Sequence, residues 1–590
     1  MVDLYFIKHR HYRPKSDYFP DGIPTIDFGV AGWLSRPFDV IIIMAIIVLS
    51  IACLISGAIS FLIEKSTDSL NPFIDMPCGK YKGKWNENQD IISFYGIPYT
   101  VPPITEPIDR LKGFLPWPES RRWRNSIKLD DSFEHCLLSH VKRCEMIDSR
   151  WNCDFSEIPK ISTCSSYAFA EDDFKASLGE DEDCLTMDIK RPKQLLNEPT
   201  NVIVVVATEA GVADAMKLPI GKEKAFVPSD ATVLEFGAIW VRVSIRVGFY
   251  STFEGENFAA SDLVNSLSWV TRNIGYFGGD PNKVTLLAFG SAATLVFKML
   301  HLGEAVAMQL PIQIWLSSPA VPLTPSKNAI NFYDELYAIY MNTNPRKTEC
   351  GKKVDKSEKC KAEIKNYMIS KDTSFLFSIE KLRNKFFKFA SVIGRPLSLS
   401  SLFEDTMLRS DWFGFLINNA DSNKVEWLQK KRIFVVHGSN ELEEFPGIEN
   451  LTYKSSKLHL EKLLGKIGLE EYETTYLEDS NDERWEKMFL IRLITIIKFI
   501  CPVLKFKDGS KDFNYLINDQ YLSGPVLEIA TASGLRGGVL NFGFRSLDIA
   551  AITGNLNKME NEVHLRRIFK DFALFRNESL PPKCQEEWRK

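Results

Sequence analysis

Residues 261–288, SDLVNSLSWVTRNIGYFGGDPNKVTLLA, decide the fold. The first half repeats apolar residues at helical spacing: Leu263, Leu267, Val270 and Ile274. That period places all four on one face of an amphipathic helix. The second half changes character. Val284-Thr-Leu-Leu-Ala288 is a short apolar run, the pattern of a strand buried on both faces. Upstream, Ala238-Ile-Trp-Val-Arg-Val243 reads as another strand. Strand, helix and strand at this distance make a right-handed crossover unit. Val202-Ile-Val-Val-Val206 and Ile433-Phe-Val-Val436 add two more apolar strands. The spacing predicts an α/β fold around a parallel sheet.

Composition agrees with a large folded core. The 590 residues are 45% hydrophobic, 25% charged and 12% aromatic. A length of this order usually implies several domains. The formal net charge of -4 is small and argues against nucleic acid as a partner.

Toward the N-terminus, Val40–Ile63 is an uncharged apolar run, VIIIMAIIVLSIACLISGAISFLI. As a helix it would rise roughly 36 Å, enough to cross a hydrocarbon core about 30 Å thick. It is too long for a cleaved signal peptide and begins too far from Met1. The expected organisation is a short cytoplasmic segment over 1–38, a signal-anchor helix over 39–63 and an ectodomain over 64–590. Basic residues give little orientation, since only Arg36 lies close to the run. The cysteines orient it. Of eleven, Cys53 lies in the run and the other ten all follow it. An even number on one side of the run points to disulfides in an oxidising compartment. Buried free thiols are the alternative, and no pair has the clustered spacing of a zinc site. Two sequons on the same side, at Asn450 and Asn577, predict glycosylation. The protein is therefore expected at the plasma membrane, as a single-pass type II protein with its C-terminal domain outside.

Several motifs then occur in an order that resembles the cholinesterase and carboxylesterase family. They are Gly96-Ile-Pro-Tyr99 followed by Pro102-Pro103, Glu182-Asp-Cys-Leu-Thr-Met-Asp188, Arg246-Val-Gly248 and the phrase Trp269 to Pro281. Phe277 to Leu286 looks like the segment that precedes that family's nucleophile. Ile500-Cys-Pro502 and a helix over Arg566 to Phe575 fit its C-terminal third. The resemblance spans roughly Cys78 to Cys584. It implies one large α/β-hydrolase domain, which replaces the length-based expectation of several. It also implies disulfides Cys136–Cys184, Cys350–Cys360 and Cys501–Cys584. Cys78, Cys144, Cys153 and Cys164 remain, with three possible connectivities.

An esterase of this fold needs a serine on a strained strand-to-helix turn, a histidine oriented by a carboxylate, and backbone N–H groups aimed at the oxyanion. In the family register the nucleophile position falls on Gly290, within Leu287-Ala-Phe-Gly-Ser-Ala-Ala293. Ser291 is one residue late. A slip that moved it into the turn would set Phe289 and Ala293 where the motif has glycines. Ser291 is therefore expected in the first turn of the next helix. The histidine position falls on about Gly534. His437, at a strand end, is the other candidate, and a lone histidine there is more often structural. The oxyanion-loop position reads Ala207-Thr-Glu-Ala-Gly-Val212, with an acid at Glu209. Glu443 falls near the position of the triad carboxylate. Loss of the serine or histidine costs roughly a million-fold in turnover. Loss of an oxyanion donor costs roughly a hundred-fold or more.

The expected function is binding without catalysis: a pseudo-esterase ectodomain in cell adhesion or cell–cell recognition, like the inactive adhesion members of the family. No cofactor and no metal is expected. The partner would be an extracellular or membrane protein. The C-terminal helix, with His564, Leu565, Ile568, Phe569 and Phe572, could form a homodimer or pack on the monomer core. Two alternatives stand. One is an auxiliary subunit or chaperone of a receptor or channel, for which Ser50, Ser56, Gly57 and Ser60 would supply small residues on the span. The other is an esterase that recruits Ser291 or His437 in a new geometry.

Overall fold

The computed structural model describes mainly residues 72–101, 124–130, 184–193, 199–209, 227–247, 256–301, 307–319, 333–343, 357–369, 431–437, 465–476, 483–495, 513–517, 547–554 and 560–574, with shorter pieces between. The chain divides into two units, Met1–Leu70 and Asn71–Lys590. In the first, 48–51 are helical, and Val48, Leu49 and Ile51 expose their side chains. The rest of the apolar run lies outside the described residues. No helix among the described residues is long and apolar enough to cross a membrane.

The second unit is organised by a ten-stranded sheet. Its strands are β1 (Lys84–Trp85), β2 (Ile91–Pro98), β3 (Thr186–Pro192), β4 (Thr200–Glu209), β5 (Ala213–Asp214), β6 (Ile239–Val243), β7 (Gly279–Gly290), β8 (Gln313–Ser317), β9 (Arg432–His437) and β10 (Phe513–Ile517). The order is β10-β9-β8-β7-β4-β6-β3-β2-β1, with β5 paired to β4. From β6 to β10 every neighbour pairs in parallel. At the other edge β3, β2 and β1 run antiparallel. All four apolar runs read from the sequence are strands of the parallel part. The crossover unit is present too, but β6 and β7 are not neighbours. Both pair with β4, which lies between them.

Five helices matter for the site: α1 (Asp230–Phe236), α2 (Ala259–Asn273), α3 (Ser291–His301), α4 (Leu547–Thr553) and α5 (Glu560–Ala573). Leu263, Leu267 and Val270 of α2, and Ile274 just after it, are buried against one face of the sheet. The turn into β7 depends on a close approach at Gly279. A Cβ there would lie 2.7 Å from Val202 Cγ2 and 2.7 Å from Ile274 Cγ1, so only glycine fits.

The opposite face carries an aromatic core. Trp315 stacks on Phe434 at 4.1 Å, and Phe569 of α5 meets Trp315 edge-on at 5.0 Å. Phe572 packs on Trp315 at 5.7 Å and on Phe434 at 5.9 Å. Phe569 and Phe572 are both fully buried. Of the two uses the sequence allows these phenylalanines, the structure has them in the monomer core. Truncating such a ring costs about 3–5 kcal/mol.

Candidate functional site

The site expected from the sequence lies where β7 turns into α3. β7 ends at Gly290, and Ser291 opens the helix. Gly290 has φ +61°. An L-residue held in that left-handed conformation pays roughly 1–2 kcal/mol, which glycine avoids. Gly290, the position where the sequence leads one to expect the nucleophile, is the residue that makes the sharp turn. A glycine offers no side chain to attack a carbonyl.

Ser291 sits in the first turn of α3, as expected, and is buried. Its Oγ lies 2.8 Å from Thr208 Oγ1, so the two hydroxyls share a hydrogen bond. Thr208 comes from β4, where its Cα partner is Gly290 itself. The sequence marks residues 207–212 as an altered loop and gives Thr208 no role. The structure instead continues β4 through Glu209. There β5 pairs antiparallel to it, with Thr208 opposite Asp214 and Glu209 opposite Ala213. Of the residues expected in the oxyanion loop, Thr208 and Glu209 belong here to a strand ladder. Thr208 stays hidden in the sequence because its partner is distant along the chain. The one local signal is an apolar run that passes into Ala207-Thr208 without a turn residue.

His437 ends β9 and is fully buried. Its ring meets Phe499 edge-on at 5.7 Å. The neighbouring Val436 packs with Trp315 and Phe569 on the face covered by α4 and α5. Alternation along a strand therefore turns His437 to the other face, where Phe499 lies. Ser317 of β8 points the opposite way and donates to Asp548 Oδ1 of α4 at 2.8 Å. The sheet thus separates the Ser317–Asp548 pair from His437. Beside them Ser318 has φ +55° and donates its N–H to Val436 O at 2.8 Å. Sequence reasoning misses Ser317, Ser318 and Asp548, since nothing local marks them.

Glu443 and Gly534 lie outside the described residues, as do Asn450, Asn577, Cys136, Cys164, Cys501 and Cys584. The Cys350–Cys360 disulfide is formed. Cys184 and Cys78 are each disulfide-bonded as well. Among the described residues no cluster of His, Cys, Asp and Glu could hold a metal ion.

The motif residues next to the site hold the scaffold together. Arg246 Nη2 lies 2.6 Å from Asp262 Oδ1, and Nε donates to Oδ2 at 2.8 Å. Both side chains are buried. The forked geometry satisfies the carboxylate on both oxygens. A third bond, from the Arg246 N–H to Oδ2 at 3.1 Å, ties the segment after β6 to the start of α2. Tyr99 donates to Ser244 O at 2.7 Å. Burial, and then the Asp262 charge, push its phenol well above the ordinary value. Asp188 accepts the Gly96 N–H at 2.8 Å and pairs with Arg242 at 3.4 Å. Each of these contacts joins separate elements of the fold.

Comparison with known proteins agrees with this architecture. The Carboxylesterase family profile matches residues 70–516. Neurotactin of Drosophila melanogaster is 26% identical over 266 residues, covering 42% of this chain and 26% of that protein. Esterase S of Drosophila virilis is 26% identical over 311 residues, covering 51% of this chain and 49% of its own. The chain thus spans half or less of the length of these two relatives. Among solved structures, PNB esterase superposes with a TM-score of 0.55 at 17% identity, covering 86% of this chain and 92% of its own. The sheet order, the strand-to-helix turn and these likenesses give the α/β-hydrolase fold. The chain belongs to the carboxylesterase family.

Proposed function

We propose that this protein is a non-catalytic, cholinesterase-like cell-surface protein that binds a partner protein in adhesion or cell–cell recognition. The observation that carries the reading is Gly290 at the nucleophile turn, with the adjacent Ser291 hydroxyl engaged by Thr208. The likeness to neurotactin supports the adhesion role. The apolar run Val40–Ile63 and the disulfide-bonded cysteines support a single-pass type II anchor with the hydrolase-fold domain outside the cell. Asn450 and Asn577 would then carry glycans. Homodimerisation through α5 would use the part of that helix not spent on the aromatic core.

The esterase relatives favour a second reading, an esterase with non-standard residues. Measuring turnover on short- and long-chain esters separates the two, using detergent-solubilised full chain beside its Ser291→Ala variant. Binding of cells that display the full chain to cells that do not supplies the other arm. The adhesion reading expects equal, background turnover for both proteins and saturable cell binding. Turnover that Ser291→Ala abolishes would overturn it. A stoichiometric multispan protein co-purifying from membranes, without cell binding, would move the role to an auxiliary subunit.

A further inference from the structure

Resemblance alone leaves Cys78, Cys144, Cys153 and Cys164 without assigned partners. The backbone selects among the three connectivities. Cys144–Ile147 and Arg150–Cys153 form an antiparallel pair whose register sets Ile147 opposite Arg150, Met146 opposite Trp151, Glu145 opposite Asn152 and Cys144 opposite Cys153. Two residues join the strands, the tight-hairpin length. In such a hairpin the pair flanking the turn exchanges backbone hydrogen bonds, and bonded and non-bonded pairs alternate outward. Counting out from Ile147 and Arg150, the Cys144–Cys153 position is a non-hydrogen-bonded pair. Opposed Cα atoms at such a position lie about 4.5 Å apart, within the range of roughly 4.4–6.8 Å that a disulfide spans.

We propose that Cys144 and Cys153 form a disulfide that clasps this hairpin. Its formation removes two protons and two electrons from the thiols. An acceptor disulfide of the oxidising compartment takes up both and leaves as two thiols. Cys78 is itself disulfide-bonded. With Cys136–Cys184, Cys350–Cys360 and Cys501–Cys584 paired as the family resemblance implies, its partner is Cys164.

Trypsin gives a direct test. Cleavage after Arg143, Arg150 and Lys160 puts Cys144 in peptide 144–150 and Cys153 in peptide 151–160, each with one cysteine. The full chain, made in a eukaryotic secretory pathway, is alkylated under denaturing, non-reducing conditions and digested. The expected product is 144–150 linked to 151–160, released by reduction, with 66–80 linked to 161–175. Alkylated 144–150, or its linkage to a peptide holding Cys136 or Cys164, would overturn the clasp. Linkage of 66–80 to any other peptide overturns the Cys78–Cys164 assignment. In Cys144→Ser, Cys153 is expected to become alkylatable while Cys350–Cys360 stays intact. If Cys153 stays protected in that variant, the pairing is wrong.

Discussion

Arg246, from one of the segments that resemble the family's motifs, forms a buried, forked ion pair with Asp262, reinforced by a backbone contact. At the β7–α3 turn, by contrast, the described feature is a backbone conformation and a single hydroxyl pair. Gly290 makes the turn, and the adjacent Ser291 hydroxyl bonds to Thr208. Both regions follow parallel strands and lie at the same end of the sheet. The difference between them separates what folds the domain from what would do chemistry in it.

The largest effect is expected at the ion pair. Asp262→Ala leaves the buried Arg246 guanidinium without its carboxylate, and breaking such a pair costs about 3–5 kcal/mol. Chemical denaturation of the full chain should show a loss of that order. A loss below about 1 kcal/mol, the scale of an exposed pair, would mean that the pair is not structural. Phe569→Ala should cost a similar amount, about 3–5 kcal/mol, because the ring fills the space between Trp240 and Trp315. A small loss with disrupted oligomers would instead assign Phe569 to an interface.

The turn should respond differently. Gly290→Ser forces an L-residue into φ +61° and should destabilise by roughly 1–2 kcal/mol. It should not create ester turnover, because a serine needs a base positioned beside it. Turnover gained by this variant would show that the base and oxyanion groups are in place.

A smaller effect concerns pH. Lys431 is buried and donates to Leu310 O at 2.5 Å. Burial pushes its ammonium down to about 8 from 10.5. Between those values the unfolded chain binds more protons than the folded chain, so stability rises with pH across that window. Melting temperatures of the wild type, relative to Lys431→Met, should climb from about pH 8 toward about pH 10. A flat difference would contradict the depressed value.

Much of this contrast is legible in the sequence, and for physical reasons. Leu263, Leu267 and Val270 announce α2 because the helical period is local. The turn at Gly290 is legible because Phe289 and Ala293 could not flank a serine in it. Other features depend on which segments pair across long distances. The place of β4 between β6 and β7 leaves no local mark, and the apolar run into Thr208 does not reveal its partner Ser291. The Ser317–Asp548 bond joins residues 231 apart. Residues 207–212 read as a loop because the resemblance sets the strand end there, whereas pairing with β5 extends the strand through Glu209.

On the proposed reading, the β7–α3 turn holds no activated nucleophile. Fluorophosphonate labelling of the full native chain, mapped by residue, tests it most directly. No label is expected on Ser291 above that of a heat-denatured control. A stoichiometric adduct on Ser291 Oγ would contradict it.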